Sequence, residues 1–171
     1  MKIAQMVRLA LLMALVAVAT LAIRIPVPAT QGYVNIGDSV VLVAGLLGGF
    51  WVGALAGGVG SALADLYGGY AHWAPFTLLI KGLEGGLVGW LAGRLQPNWH
   101  RPGGLILGGG IALVGLLCMV AGYFLVEWRL YSWAPALASL PANTIQAGAS
   151  LLVGVPLAAV LGRSGLFARA G

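Results

Sequence analysis

The chain has 171 residues, 60% of them hydrophobic and 8% charged, with a formal net charge of +5 and a mean hydropathy of +0.98. A water-soluble domain carries about a quarter charged residues, so this composition excludes a soluble globule and suits a bundle whose outer face meets lipid. The nine Lys and Arg are scattered, which excludes the continuous basic stripe of a nucleic-acid binder and leaves them as topology signals.

In chain order, the first predicted helix covers 3–23, within the roughly 17–25 apolar residues that a span requires. Lys2 and Arg8 ahead of an apolar run resemble a secretion signal, but the long apolar segments that follow favour a retained helix. Arg24-Ile25-Pro26-Val27-Pro28 ends it, because the prolines force extended backbone, and a loop continues to Tyr33. As one helix the region 36–66 would be roughly 45 Å long, too long for a ~30 Å hydrocarbon core. It is therefore split near Gly48-Gly49-Phe50-Trp51 into helices 36–49 and 52–66.

A loop rich in Gly and aromatics follows over 66–73, and Pro75 suits the first turn of a helix over 74–93. A polar connection with Pro97 and Pro102 leads to a fifth helix over 104–126. Glu127 to Pro135 reads as an aromatic, polar loop, and the last helix covers 137–161 with kinks expected at Pro141 and Pro156. The expectation is an all-α integral membrane protein: one domain, 1–171, with six transmembrane helices.

The positive charges orient it. With the N-terminus in the cytoplasm, Lys2, Arg8, Arg94, Arg101, Arg163 and Arg169 lie inside and Arg24 and Arg129 outside. Both termini are thus expected in the cytoplasm, and the chain in the plasma membrane of a prokaryote. Gly45, Gly49, Gly53 and Gly57 recur at helical spacing, which lets helix backbones approach closely in lipid. Ala10 and Ala14 have the same spacing. The single cysteine, Cys118, reads as a small buried hydrophobe and excludes an internal disulfide.

Charged groups inside a membrane are costly and face a cavity or a partner. Lys81 and Glu84 are three apart on one helix, which fits either a mutual ion pair or a polar pocket wall. Asp38 fits a helix first turn, where it serves the dipole. Asp65 lies beside Tyr67, Tyr70, His72 and Trp73, groups that can stack on and hydrogen-bond a flat polar ligand, or that form an interfacial aromatic belt. Asn143 and Gln146 are three apart on the last helix, and buried amides there need partners. Tyr33, Asn35, Glu127, Trp128, Tyr131 and Trp133 converge from the other outer loops. The expected binding residues are Asn35, Asp65, Tyr70, His72, Trp73, Lys81, Asn143 and Gln146. No phosphate-loop, zinc-protease or nucleophile-elbow motif occurs. His72 and His100 are expected on opposite sides, so no metal, cofactor or catalytic site is expected.

Arg24-Ile25-Pro26-Val27-Pro28, Asn35-Ile36-Gly37-Asp38, the glycine-rich stretch 53–60, Ala64-Asp65-Leu66-Tyr67-Gly68-Gly69 and Trp73-Ala74-Pro75-Phe76-Thr77 resemble one family. It is the substrate-binding S component of energy-coupling factor (ECF) vitamin transporters, nearest the branch handling hydroxymethylpyrimidine, pyridoxine and similar compounds. Asn143-Thr144-Ile145-Gln146 is similar to a motif of that branch. The resemblance implies a six-helix membrane protein that binds a small vitamin or precursor near the outside. It further implies docking on a transmembrane T subunit and two ATPase subunits, and toppling in the membrane to release substrate inside. Ala10 and Ala14 match the family's contact with the T subunit, whereas Gly48-Gly49-Phe50-Trp51 stands where the family often has basic residues. The alternative is a stand-alone secondary transporter or channel with Lys81 and Glu84 as an ion relay.

Overall fold

A computed structural model describes residues 3–165; Lys2 and Arg169, used above for orientation, lie outside them. Helix α1 (Ile3–Ala22) buries only Leu12, Val16 and Thr20, one stripe at i, i+4 spacing. Leu9, Met13, Ala17, Ala19 and Leu21 flank that stripe half-buried, with Leu9 and Met13 packed on the core.

The segment expected to be a loop to Tyr33 is a hairpin. Strand β1 (Arg24–Val27) pairs antiparallel with β2 (Gly32–Asn35), with Arg24 opposite Asn35 and Val27 opposite Gly32. A single 3-10 turn, Pro28–Thr30, joins them and Gln31 reverses the chain at φ 50°. Prolines are compatible with such a strand because it is an edge, where a missing N–H costs no ladder bond.

Helix α2 (Asp38–Gly48) has eleven residues, about 16 Å, roughly half of a hydrocarbon core. It ends at Gly49, whose φ of 82° and ψ of −173° suit glycine and turn the chain into α3 (Phe50–Gly68). The break falls where the length argument required one. Helix α4 (Ala74–Leu95) has Pro75 in its first turn and runs beside α3. Helices α5 (Pro102–Tyr131) and α6 (Trp133–Arg163) are longer than expected and meet at Ser132 alone. The predicted loop from Glu127 to Pro135 is thus almost entirely helical, and Glu127 is a buried helix residue.

Four of the six helices, α1, α3, α5 and α6, are long and apolar enough to cross a membrane. The other two differ: α2 has eleven residues, and α4 carries Lys81 and Glu84 at its middle. Non-helical backbone at membrane depth is tolerated where protein buries it or where it lines a cavity. The hairpin preceding α2 lines one, at the end of the bundle formed by the start of α2, α4 and α6 and the end of α1, α3 and α5.

The glycine row does pack internally. A Cβ on Gly53 would collide with the Gly85 carbonyl, one on Gly57 would stand 2.6 Å from the Lys81 carbonyl, and one on Gly60 would stand 2.7 Å from the Met13 carbonyl. So α3 lies backbone to backbone with α4 and touches α1, which fixes the height of Lys81 and Asp65 relative to one another. The apolar core formed by Leu42, Val88, Ile111, Leu116 and Met119 lies on the far side of α4, between α2, α5 and α6. Cys118 is only partly buried. At the end opposite the hairpin, Arg163 donates to the Trp99 carbonyl at 2.6 Å and ties the α4–α5 connection to α6.

Candidate functional site

Every element except α2 sends a side chain into one cavity at the hairpin end. Thr20 comes from α1, Thr30, Tyr33 and Asn35 from the hairpin segment, and Asp65 from α3. Trp73, Thr77 and Lys81 come from the α4 region, Tyr123 and Glu127 from α5, and Asn143 and Gln146 from α6. The space between them is about 490 Å³ with its mouth included.

The floor is a charge network. Lys81 pairs with Asp38 and, at 3.1 Å, with Glu84. Gln146 ties this network to the hairpin: its Nε2 donates to Asp38 Oδ2 at 2.7 Å, and its Oε1 accepts from the Asn35 N–H at 2.6 Å. Lys81 therefore both pairs with Glu84 and lines the cavity. Asp38 does sit in the first turn of its helix, but it is 1% exposed and its carboxylate is committed to Lys81 and Gln146; the capping reading is superseded by a buried ion pair.

The wall is aromatic and polar. Tyr33 donates to Asp65 Oδ1 at 2.6 Å. Burial first, and then the Asp65 charge, push the Tyr33 phenol above its usual range, so it remains a neutral donor. Trp73 is 3% exposed and packs against Phe76 and Tyr123 with ring centroids 6.1 and 5.8 Å apart. Tyr123 donates to Thr77 at 3.2 Å and lies 5.5 Å beneath the Lys81 ammonium. Glu127 accepts from Ser139, with Thr30 and Asn143 beside the same carboxylate.

Several buried polar atoms on this wall have no hydrogen-bond partner: Thr20 Oγ1, Thr30 Oγ1, Asp65 Oδ2, Trp73 Nε1 and Asn143 Nδ2. Such atoms cost about 1–3 kcal/mol each if left unsatisfied, so five around one cavity mark a place where a polar partner belongs.

Of the eight expected binding residues, Asn35, Asp65, Trp73, Lys81, Asn143 and Gln146 line this cavity. Tyr70 and His72 do not: His72 is exposed, and Tyr70 stacks behind Tyr33 with ring centroids 4.5 Å apart. Tyr123, Thr20, Thr30 and Thr77 were not singled out from sequence. Glu127 carried a signal that was underused: it is one of only four acidic residues in the chain. Among the described residues no cluster of His, Cys, Asp and Glu could hold a metal ion.

The sequence is similar to known proteins. Residues 1–163 match the family described as ECF-type riboflavin transporter, S component. The chain is 42% identical over 146 residues to an "Uncharacterized protein in gap 3′region" of Pyrococcus woesei, covering 85% of this chain and 93% of that one. It is 33% identical over 137 residues to the thiamine precursor transporter HmpT of Lactococcus lactis, covering 80% of this chain and 72% of that one.

Proposed function

The chain belongs to the S-component family of ECF-type vitamin transporters, and from that premise we propose that it captures a single-ring vitamin precursor of the hydroxymethylpyrimidine type. A member of this family is a membrane-embedded transport subunit rather than an enzyme. The observation that carries the reading is the cavity itself: an aromatic wall at Trp73 and Tyr123 with five unpartnered polar atoms around it. Ring stacking and a few fixed hydrogen bonds are how a small heterocycle is held.

The 33% identity to a thiamine precursor transporter supports one ring over three. Riboflavin is the second reading, favoured by the description of the matching family.

The hairpin end faces outside in this proposal. Arg94, Arg101 and Arg163 stand at or beyond the ends of helices on the opposite side, where the cytoplasm favours positive charge. The captured molecule is then delivered by a T subunit and two ATPases, since this chain has no phosphate-binding loop to drive transport itself.

The test is to purify the protein from cells in mild detergent, denature it, identify the released molecule by mass spectrometry, and titrate the emptied protein with hydroxymethylpyrimidine and with riboflavin. Stoichiometric single-ring heterocycle, or tight binding of it, supports the reading. Flavin in its place overturns the substrate class while leaving the family intact.

A further inference from the structure

The four acidic residues of this chain, Asp38, Asp65, Glu84 and Glu127, are all buried around or directly beneath the cavity, at 1%, 2%, 0% and 4% exposure. One cation of the described lining, Lys81, sits among them, and its ammonium is already paired with Asp38 and Glu84. Arg24, at the rim, is engaged by the Gly68 carbonyl at 3.0 Å and lies over the Tyr33 ring. Among the described lining residues, Asp65 and Glu127 therefore face the cavity as carboxylates, and the one ammonium there is already committed to two others.

The unpartnered atoms divide by chemistry. On one side Asp65 Oδ1 accepts from Tyr33, while Oδ2 is buried without a partner, with Thr77 beside the carboxylate. A carboxylate oxygen can only accept. On the other side the indole N–H of Trp73 can only donate, and it is buried without a partner too. Gly32 shows where that side opens. A Cβ on Gly32 would stand 3.4 Å from Thr30 Oγ1 and 3.6 Å from Trp73 Nε1. Both orphaned atoms thus border the space that a side chain at residue 32 would enter. Gly32 needs no glycine for its own backbone, since its φ is not in the left-handed region and a methyl there would make only ordinary contacts.

We propose that the ligand turns an amine-bearing donor edge to Asp65 and an acceptor to Trp73 and Thr30, seated in the space left by Gly32, and that phosphorylated forms of it are refused. This rests on the single-ring reading above and names its recognised edge. An amine hydrogen satisfies Asp65 Oδ2. A carbonyl in its place would bring two acceptors together and leave both unpaired, a mismatch that buried sites reject far more strongly than a change of size. A phosphate would meet the Asp65 and Glu127 carboxylates, and the Lys81 ammonium in the same lining is already committed to two carboxylates.

Isothermal titration of the purified protein distinguishes these. The probes are hydroxymethylpyrimidine bearing its ring amine, the analogue with a ring carbonyl in place of that amine, and the phosphate ester of the first. The wild type is expected to bind the amine compound at least about 100-fold more tightly than the carbonyl analogue and to show no binding of the phosphate ester. Asp65→Asn, which can donate as well as accept, shrinks the amine-to-carbonyl preference to within about tenfold. Gly32→Ala weakens the amine compound by about tenfold or more, with an unchanged melting temperature. Equal affinity for amine and carbonyl compounds in the wild type overturns the donor-edge assignment, as does full-strength binding to Gly32→Ala. Those results leave the single-ring reading standing. Binding of riboflavin and of neither pyrimidine overturns that reading and this one together.

Discussion

Lys81 is 1% exposed at the middle of a helix whose neighbours are largely apolar, and a lone ammonium there would cost several kcal/mol. Its two carboxylate partners remove that cost, but they also depend on it. Lys81→Met leaves Asp38 and Glu84 buried without a cation, and a fall of about 3–5 kcal/mol in stability is expected, read as a lower unfolding midpoint in detergent. Adding Asp38→Asn to the same chain should recover part of the loss. An unchanged midpoint in Lys81→Met would mean that the ion pair contributes nothing to the fold. Half of this network was legible in the sequence, because Lys81 and Glu84 are three apart. Asp38 was not legible as a member, because it comes from 43 positions away and its place in a helix first turn already explained it locally. Trp73 poses the complementary problem. Its position in a loop of aromatics fits a belt or a pocket equally, and only the packing against Tyr123 decides. Trp73→Ala removes the stacking face and one donor, and ligand affinity should drop by about 10- to 100-fold, the magnitude of one to three kcal/mol; binding at wild-type strength would dismiss the aromatic wall as the seat of the ring.

Elements were legible where length or glycine spacing governed them and were missed where local composition misled. The break at Gly49 followed from the length of a bilayer, and close internal packing from glycines every four residues, though the spacing did not name α4 as the partner. The hairpin was hidden because two prolines in a short segment read as loop, although an edge strand accepts them. The α5–α6 corner was hidden because Glu127, Arg129 and the aromatics look like solvent-exposed turn residues, while the turn needs only Ser132. That residue holds φ 107° and ψ 177°, a region open almost only to glycine and costing others about 1–3 kcal/mol. Ser132→Gly should therefore raise stability by about 1 kcal/mol, a gain measurable as a higher midpoint; a fall would show that its side chain matters more than its backbone. The glycine interface gives a paired prediction. Gly53→Ala forces a methyl against the Gly85 carbonyl and should lose about 1–3 kcal/mol. Gly109→Ala meets nothing within 4 Å and should be neutral or gain about 0.5–1 kcal/mol from helix propensity. Equal responses at the two positions would contradict backbone-to-backbone packing of α3 on α4.

At the scale of the whole molecule the cavity and the face of α1 are separate. The cavity is walled by residues from all around the hairpin end, whereas α1 gives it only Thr20. Ala10 and Ala14 lie on the exposed side of α1 with Met6, Val7, Leu11 and Leu15. Both alanines are exposed among the described residues, and small residues at i, i+4 let another helix come close. The family to which the chain belongs is a subunit family, so a partner helix is the expected occupant. Replacing both alanines by tryptophan adds bulk only to this outer face. Ligand affinity of the purified subunit and its melting temperature should stay at wild-type values, while uptake into cells that also hold the T subunit and ATPases should fall at least tenfold, because close approach is lost. Uptake that persists in cells lacking the ATPases would instead favour a self-contained transporter. In that case the buried Lys81, Asp38 and Glu84 network, rather than the alanine face, would be the place to look for the moving charge.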